Sequence, residues 1–355
     1  MTSSYPQTLT APATAPTAQR GSDFAELNRR VKGAGLLKRR TGYYALKMTI
    51  NGLLFSAGWI AVLLLGNSWL QLLIAGFLAV VFTQIAFVGH DAGHHQIFKS
   101  HTMNKLTGII HGNFAIGLSF GWWISKHNRH HANPNDEDLD PDVEPGALVF
   151  VESHTQGRRG FAHWLTRSQA YLFFPMLLLE GLNLHVASIR ALLRPSGKLK
   201  VLEISLFVIH IVGYATVLLL VMSPLHALIF AAVQQGIFGL YMGCSFAPNH
   251  KGMPTLRRED KIDFLRRQVL TSRNIRGGRF VDFVLGGLNY QIEHHLFPSM
   301  PRPSLRRSQS MIRQFCKEYN ISYYETGLIR SYVESLRHLH AVGAPLRRKL
   351  ARESA

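Results

Sequence analysis

The sequence has little cysteine and little charge for its length. Its 355 residues include two cysteines, Cys244 and Cys316, and charged residues make up only 17% of the chain. Two cysteines exclude a disulfide framework, a cysteine-rich zinc module and a cysteine-ligated iron–sulfur cluster. The scarcity of charge, beside 47% hydrophobic residues, argues against an ordinary soluble enzyme and favours a membrane protein.

Four stretches of the chain contain no Asp, Glu, Lys or Arg. They cover residues 48–65, 70–88, 204–222 and 225–246, and each has about the ~20-residue length with which a helix crosses a bilayer core. Buried core helices are the alternative, but four such stretches in one chain favour transmembrane helices. Because short uncharged connections join the first two and the last two stretches, we expect two hairpins.

Basic residues outnumber acidic ones, 39 to 21, for a formal net charge of +18. Nucleic-acid binding is one interpretation. However, basic residues cluster before the first apolar stretch and after the last, as the positive-inside rule requires. We therefore expect a multi-pass membrane protein with both termini and the central loop in the cytosol, and no nucleic-acid partner. The basic surface also suits anionic lipid headgroups or an acidic electron-donor protein.

The chain divides by composition into three parts. Residues 1–22 are rich in Thr, Ala, Pro and Ser, which is typical of a disordered tail. We expect residues 23–325 to form a membrane domain and residues 326–355 to form a basic helical tail. Residues 106–125 also lack formal charge, but we expect them to lie along the interface or re-enter. If they crossed the bilayer, the histidines on either side would lie about 30 Å apart. The predicted fold is an all-α integral membrane protein with four transmembrane helices and a cytosolic helical cap.

Three histidine clusters lie between and after these apolar stretches. They read HDAGH at residues 90–94, HNRHH at 127–131 and QIEHH at 291–295. Side chains three or four residues apart share one face of a helix, and imidazoles suit iron, zinc, copper and nickel. With four transmembrane helices, all three clusters fall on one side of the membrane, and so does a further histidine just beyond the fourth helix. The candidate ligands are His90, His94, His127, His130, His131, His250, His294 and His295.

Eight histidines exceed what one ion of four to six ligands can use, so the pattern predicts two metals. A ligating imidazole is oriented by a partner on its other nitrogen. The candidate partners are Asp91, Asp140, Asp142, Asn249 and Gln291. A dinuclear zinc hydrolase remains open, although such sites usually include carboxylate ligands. Iron fits better if the chemistry is oxidative, because dioxygen activation needs a redox metal.

Two further classes need histidines inside the apolar stretches. A metal transporter would place ionisable ligands near the bilayer midplane, and a b-type cytochrome would pair histidines there to hold haem. The four stretches contain only His210 and His226. Both classes are therefore disfavoured.

The order of the three histidine boxes, with apolar stretches before the first and between the second and third, resembles the membrane fatty acid desaturases. The resemblance runs from about residue 40 to about residue 325. It includes HANPNDEDLDPDV after the second box and HLFPSMPRPSL after the third. The glutamine that opens the third box is similar to that of the front-end and acyl-CoA desaturase branch.

The resemblance implies a non-haem di-iron enzyme of lipid metabolism. Such an enzyme reduces dioxygen with two electrons, removes hydrogens from two adjacent methylenes of a fatty acyl chain and leaves a cis double bond. The resemblance assigns the catalytic iron ligands to His90, His94, His127, His130, His131, His294 and His295, and matches His250 to an extra histidine after the fourth helix.

Two departures from the family pattern affect these expectations. Gln291 stands where many relatives have a histidine, and its role stays open. No His-Pro-Gly-Gly motif of a fused cytochrome b5 occurs, so we expect electrons from a separate ferredoxin, reductase or cytochrome b5. The acyl carrier stays open between CoA and a membrane lipid. A hydroxylase or ketolase of a lipid or carotenoid on the same scaffold is the alternative function.

Overall fold

The computed structural model describes residues 22–194 and 199–353, and most of these residues are helical. The predicted all-α class is confirmed. Within the described residues, two three-residue strands, Asn274–Arg276 and Glu325–Gly327, form a parallel pair. The predicted disordered tail at residues 1–22 lies, except for Ser22, outside the described residues.

Most helices follow one another after short connections, but long segments, residues 133–159 and 251–263, follow α5 and α9. In order they are α1 (Asp23–Gly33), α2 (Thr41–Leu65), α3 (Gln71–Gly93), α4 (His101–Ile109), α5 (Phe120–Ala132), α6 (Gly160–Leu177), α7 (Glu180–Leu192), α8 (Lys200–Val221), α9 (Pro224–His250), α10 (Phe264–Leu270), α11 (Arg279–Val284), α12 (Gln291–Leu296), α13 (Arg302–Glu318), α14 (Leu328–Val342) and α15 (Ala344–Glu353). A π-helical turn, Ile110–Ala115, extends α4, and a 3-10 turn covers Glu152–Thr155.

Several helices begin where a short polar side chain caps the first turn. The side chains of Ser22, Ser100, Ser119 and Asp263 accept hydrogen bonds from backbone N–H groups of α1, α4, α5 and α10. Such caps satisfy donors that have no partner within the helix. At α9 the first residue is Pro224, whose fixed φ suits a helix start.

Four helices are long and apolar enough to cross a membrane, namely α2, α3, α8 and α9. The prediction of four apolar spans is confirmed. Each helix extends beyond the charge-free stretch that predicted it. Helix α2, for example, includes Lys47. The Lys47 ammonium donates to Gln84 Oε1 at 2.7 Å, so this charge has a polar partner on α3. The two-hairpin arrangement stays a prediction, as do the cytosolic cap and the three-part division of the chain.

Two other stretches are bent or broken. Helices α6 and α7 pass the same test only as a pair, and an 82° bend separates them. Gly239 of α9 allows the start of α7 to approach closely, since a Cβ there would lie 2.3 Å from the Gly181 nitrogen. Residues 106–125 do not form one straight helix. They run through the end of α4, the π-helical turn, an irregular link and the start of α5.

The helices α3 and α9 occupy the centre of the apolar part. In α3, 61% of the apolar window is buried, against 17% in α2 and in α8. Phe82 of α3 and Phe238 of α9 meet with ring centroids 6.1 Å apart. The outer faces of α2 and α8 expose large side chains, among them Leu64 and Leu220. Apolar faces of this extent fit lipid better than water.

A separate core lies around α12, where helices α1, α10, α12 and α13 pack together. Its buried side chains include Leu27, Leu265, Ile292 and Phe315. Helix α14 packs on α6 and α9, and Arg273 donates to Glu334 of α14 at 2.7 Å with both side chains buried. The ends of α3 and α9 thus meet a helical layer that carries the third histidine cluster.

Candidate metal centre

Eight histidines from four helices meet at the ends of α3 and α9. They are His90 and His94 at the end of α3, His127, His130 and His131 on α5, His250 at the end of α9, and His294 and His295 on α12. All eight side chains are buried. The histidines predicted as ligands are therefore all brought together, although their assignment as ligands stays a prediction.

The imidazole nitrogens form two groups. In the first, nitrogens of His90, His94, His127 and His294 lie within 4.8 Å of one another, and in the second those of His130, His250 and His295 do. The remaining ring, His131, lies between the groups. Its Nε2 is 3.0 Å from His127 Nε2, and its ring stacks on His295 with centroids 4.2 Å apart.

The protonation of these rings suits metal binding. Burial, followed by the charge of neighbouring histidines, lowers the pKa of His94, His127, His131, His294 and His295 well below the usual value. Neutral imidazoles present a lone pair, which is the form that binds a metal.

Several of these nitrogens also lack hydrogen-bond partners. Among the described residues, no partner faces Nε2 of His90 or either nitrogen of His294, although these atoms are buried. Buried polar atoms normally have partners. A metal cation in the first group would satisfy His90 Nε2 and one nitrogen of His294. In the second group the Nε2 atom of His250 lies 3.3 Å from that of His130 and 3.1 Å from that of His295, so these atoms also face one point, and the donor set has room for two metal ions.

Carboxylates orient one ring of the second group. The Nδ1 of His130 lies 3.0 Å from both oxygens of Asp140 and 3.6 Å from Asp142. Burial lowers the pKa of His130, but the two carboxylates outweigh burial and raise it overall. Lys126 and His130 outweigh burial at Asp142 and hold the pKa of that carboxyl well below its usual value. We interpret Asp140 and Asp142 as partners of Nδ1, which leaves His130 Nε2 facing the metal group.

A carboxylate also orients His90. Asp91 accepts from His90 Nδ1 at 3.2 Å and from Arg302 Nη2 at 2.6 Å. Arg302 donates further to the carbonyl of Phe87 at 2.8 Å. The motif analysis predicted Asp91 but missed Arg302, which is part of the PRPSL segment after the third box.

Neutral partners orient the other rings of the second group. His250 Nδ1 donates to the Thr271 carbonyl at 3.0 Å, and His295 Nδ1 donates to Gln268 Oε1 at 2.9 Å. Both contacts leave Nε2 free, and the two Nε2 atoms lie 3.1 Å apart. Sequence reasoning missed Gln268 and Thr271, because nothing in their local sequence marks them as partners of a histidine.

Gln291 and Asn249 lie beside the second group. The Gln291 amide nitrogen is 2.9 Å from His250 Nε2, and Asn249 Nδ2 donates to Gln291 Oε1 at 3.3 Å. The Gln291 side chain thus reaches the nitrogen of His250 that faces the other imidazoles. Of the predicted partner residues, Asp91, Asp140, Asp142 and Gln291 each contact a candidate ligand, while the Asn249 side chain reaches the group only through Gln291.

Helix α5, which carries the second cluster, is held at its start by Glu203 of α8. The Glu203 Oε2 accepts from the Gly121 N–H at 3.0 Å and from Ser119 Oγ at 3.3 Å. Asn113 Oδ1 accepts from the Phe120 N–H at 3.1 Å. A carboxylate at a helix N-terminus is stabilised by the unpaired N–H groups and the helix dipole. The only sequence signal for Glu203 was an isolated acidic residue beside an apolar stretch.

An apolar cavity of about 590 Å³ ends at the histidines. His90, His127, His130 and His250 line its inner end, and Trp123 stacks on His127 with centroids 4.5 Å apart. Its apolar walls include Ile116, Leu118, Phe120, Phe173, Met242 and Phe246. Its polar lining includes Lys126, Asp142, Glu144, Glu180 and Asn183. The apolar walls suit a long apolar guest, and Asp142, part of the polar lining, lies 3.6 Å from His130.

A buried set of imidazoles that could hold metal, beside an apolar cavity and at the end of four helices long and apolar enough to cross a membrane, defines the class of the protein. Residues 67–327 match the family described as Fatty acid desaturase. This match covers more than half of the chain, and the chain belongs to the fatty acid desaturase family. The predicted family is confirmed.

Curated relatives carry desaturase names. The acyl-lipid (9-3)-desaturase of Physcomitrium patens is 30% identical over 92% of this chain and 64% of its own length. The Delta(8)-fatty-acid desaturase of Helianthus annuus is 29% identical over 92% of this chain and 74% of its own. The Delta(6)-fatty-acid desaturase fat-3 of Caenorhabditis elegans is 29% identical over 92% of this chain and 76% of its own length. The chain thus spans less than two thirds of the moss relative. Desaturases are oxidoreductases, as predicted for this chain.

We expect Asp140→Asn to weaken metal binding. The change removes the charge that orients His130, and loss of such a partner typically costs 10–100-fold in metal affinity. Metal retention of the purified protein during titration with a chelator measures the effect. Asp138→Asn, an exposed change on the same loop, is the matched control. Equal retention in both variants would contradict the assigned role of Asp140.

We expect Glu203→Ala to destabilise the protein by about 1–3 kcal/mol, because it leaves two buried donors of the α5 start unsatisfied. The midpoint of thermal unfolding in detergent should fall. Glu203→Gln, which keeps one acceptor oxygen, should lose less, and the exposed Glu152→Ala should change nothing. An unchanged midpoint for Glu203→Ala would show that the cap does not stabilise α5.

Proposed function

We propose that this protein is a membrane fatty acyl desaturase that uses dioxygen and two electrons to introduce a cis double bond. One observation carries the proposal: two groups of buried imidazoles border an apolar cavity. Membership of the desaturase family supports it. The relatives' names add that fatty acids and acyl lipids are the substrates of those proteins, and we propose the same class here.

We propose iron as the metal, with two ions per chain. His90, His94, His127 and His294 would hold one ion, while His130, His250 and His295 would hold the other, with His131 between them. The bound irons would supply the redox chemistry that dioxygen activation and C–H cleavage need. The all-nitrogen donor set and its place on an apolar cavity favour this chemistry over a zinc hydrolase, whose sites usually include carboxylates.

The chain's own residues bind and position the substrate. A methylene offers no polar group for recognition, so the cavity shape must set which carbons reach the histidines. Trp123 packs against both His127 and His90, and therefore forms cavity wall beside the first group. Phe246 lies 6.5 Å from His90, centroid to centroid. These apolar rings exclude water from the space beside the imidazoles.

The carboxylates of the site orient the histidine rings and supply negative charge beside them. Asp140 and Asp142 keep a proton on Nδ1 of His130, and Asp91 does the same for His90. Each ring therefore presents Nε2 to its group. The negative charge of these carboxylates also balances part of the charge that two cations would bring into a buried site.

We further propose the setting of the reaction. The site and both ends of the chain would face the cytosol, as the distribution of basic residues predicts. Electrons would come from a separate donor protein, and the acyl group would arrive linked to CoA or to a membrane lipid. Residues 23–325 would form the catalytic membrane domain.

Expression in a host with a defined fatty acid composition tests the reaction. Gas chromatography with mass spectrometry of the fatty acid methyl esters should reveal a product with one more double bond than a host fatty acid, absent from the vector control. A hydroxylated or keto product would replace the desaturase by the hydroxylase or ketolase alternative. No new product, with folded and iron-loaded protein, would refute the proposal.

We expect His127→Ala to abolish product formation and to lower the iron content by about one ion per chain, because the first group loses a ligand. Iron analysis of the purified variant and the same product assay measure this. The exposed His340→Ala is the matched control and should retain both properties. Full iron content and activity in His127→Ala would refute the ligand assignment.

A further inference from the structure

A second pocket of about 500 Å³ lies at the start of α2, apart from the histidines. The residues that line it come from the segment before α2, from the first turn of α2 and from α13, and they are Arg39, Arg40, Thr41, Gly42, Tyr43, Pro303 and Arg307. Neither the family match nor the metal centre accounts for three arginines around one pocket.

The pocket carries an uncompensated positive charge. Three of its seven lining residues are arginines, and none of the seven is acidic. Arg39 is held in place, since its Nη1 donates to the Ser299 carbonyl at 2.9 Å. Among the described residues, no carboxylate lies within 4 Å of Arg40 or Arg307, so neither forms an ion pair.

The acidic residues nearest in the fold are already engaged by other arginines of α13. Asp91 pairs with Arg302, and Asp282 pairs with Arg306 at 3.4 Å. Arg302 and Arg306 flank Pro303 and Arg307 along the helix, yet they point to those carboxylates. The charge of the pocket therefore has no counter-ion within the described part of the chain.

The pocket lies at the height where lipid headgroups are expected. Helix α2 is a candidate membrane span that begins at Thr41. Its lipid-suited face begins within two turns, with Leu46 62% and Leu53 65% exposed. At 1.5 Å per residue, Arg40 lies about 9 Å before Leu46 along the axis. Tyr43, which is also exposed, is a residue type enriched at membrane interfaces.

We propose that this pocket binds the phosphate of an anionic phospholipid headgroup. Guanidinium groups form paired hydrogen bonds with phosphate oxygens, and arginine suits phosphate better than lysine does in such geometry. A zwitterionic headgroup carries the same phosphate, but its own cation is repelled by three arginines. The pocket therefore selects a headgroup with net negative charge, such as phosphatidylglycerol. The site is independent of the proposed reaction.

Lipid retention in mixed nanodiscs tests the proposal. The full-length protein is placed in nanodiscs of phosphatidylcholine and phosphatidylglycerol in equal amounts, and native mass spectrometry counts the lipids that stay bound after release. The wild type should retain phosphatidylglycerol over phosphatidylcholine. Arg40→Gln/Arg307→Gln should reduce this preference by roughly 30-fold, the equivalent of about 1 kcal/mol for each of two arginines.

A matched control separates the pocket from bulk charge. Arg258→Gln/Arg337→Gln removes two exposed arginines elsewhere and the same net charge. If this control retains phosphatidylglycerol over phosphatidylcholine as the wild type does, the proposal is supported. If both double variants lose this preference equally, the proposal is overturned. A third arm supplies inorganic phosphate at millimolar concentration in pure phosphatidylcholine nanodiscs. Retained phosphate there, without phosphatidylglycerol preference in the mixed discs, would assign the pocket to free phosphate and overturn the lipid assignment.

Discussion

The convergence of eight buried imidazoles is the constraint on which the rest of this structure depends. Nitrogen atoms of different rings approach to about 3 Å, as between His94 and His127 at 2.9 Å. Burial keeps most of these rings neutral, and several nitrogens have no partner among the described residues. Such an arrangement is costly without a cation. Two bound metals, as proposed, would remove this cost and would couple metal binding to the folding of this region.

The polar residues around the histidines serve this convergence. Asp140 holds His130, Asp91 holds His90, and Arg302 in turn holds Asp91 through a buried ion pair. Breaking a buried pair costs several kcal/mol, because the remaining charge stays buried. The central helices α3 and α9 end inside this network. The same two helices, both candidate membrane spans, therefore also carry three of the eight histidines, His90, His94 and His250, at their ends.

The sequence predicted the parts of this structure that depend on local periodicity. Charge-free stretches revealed four helices that are long and apolar enough to cross a membrane. Helical spacing marked seven of the eight histidines, and the position just beyond the fourth stretch marked His250. Contacts between distant segments left no such local pattern. Arg302, Gln268 and Glu203 each contact a partner on another helix, so their roles could not be predicted from the local sequence. The start of α2 was also missed, because the charge count placed Lys47 outside the apolar stretch, whereas its ammonium has a polar partner, Gln84, on α3.

The most direct test of the central claim is anomalous diffraction at the iron edge from crystals of the purified full-length protein. The account predicts two anomalous peaks per chain, one among His90, His94, His127 and His294 and one among His130, His250 and His295. A single peak between the groups, a peak at His130 with Asp140 and Asp142, or the absence of any peak in active protein would contradict it.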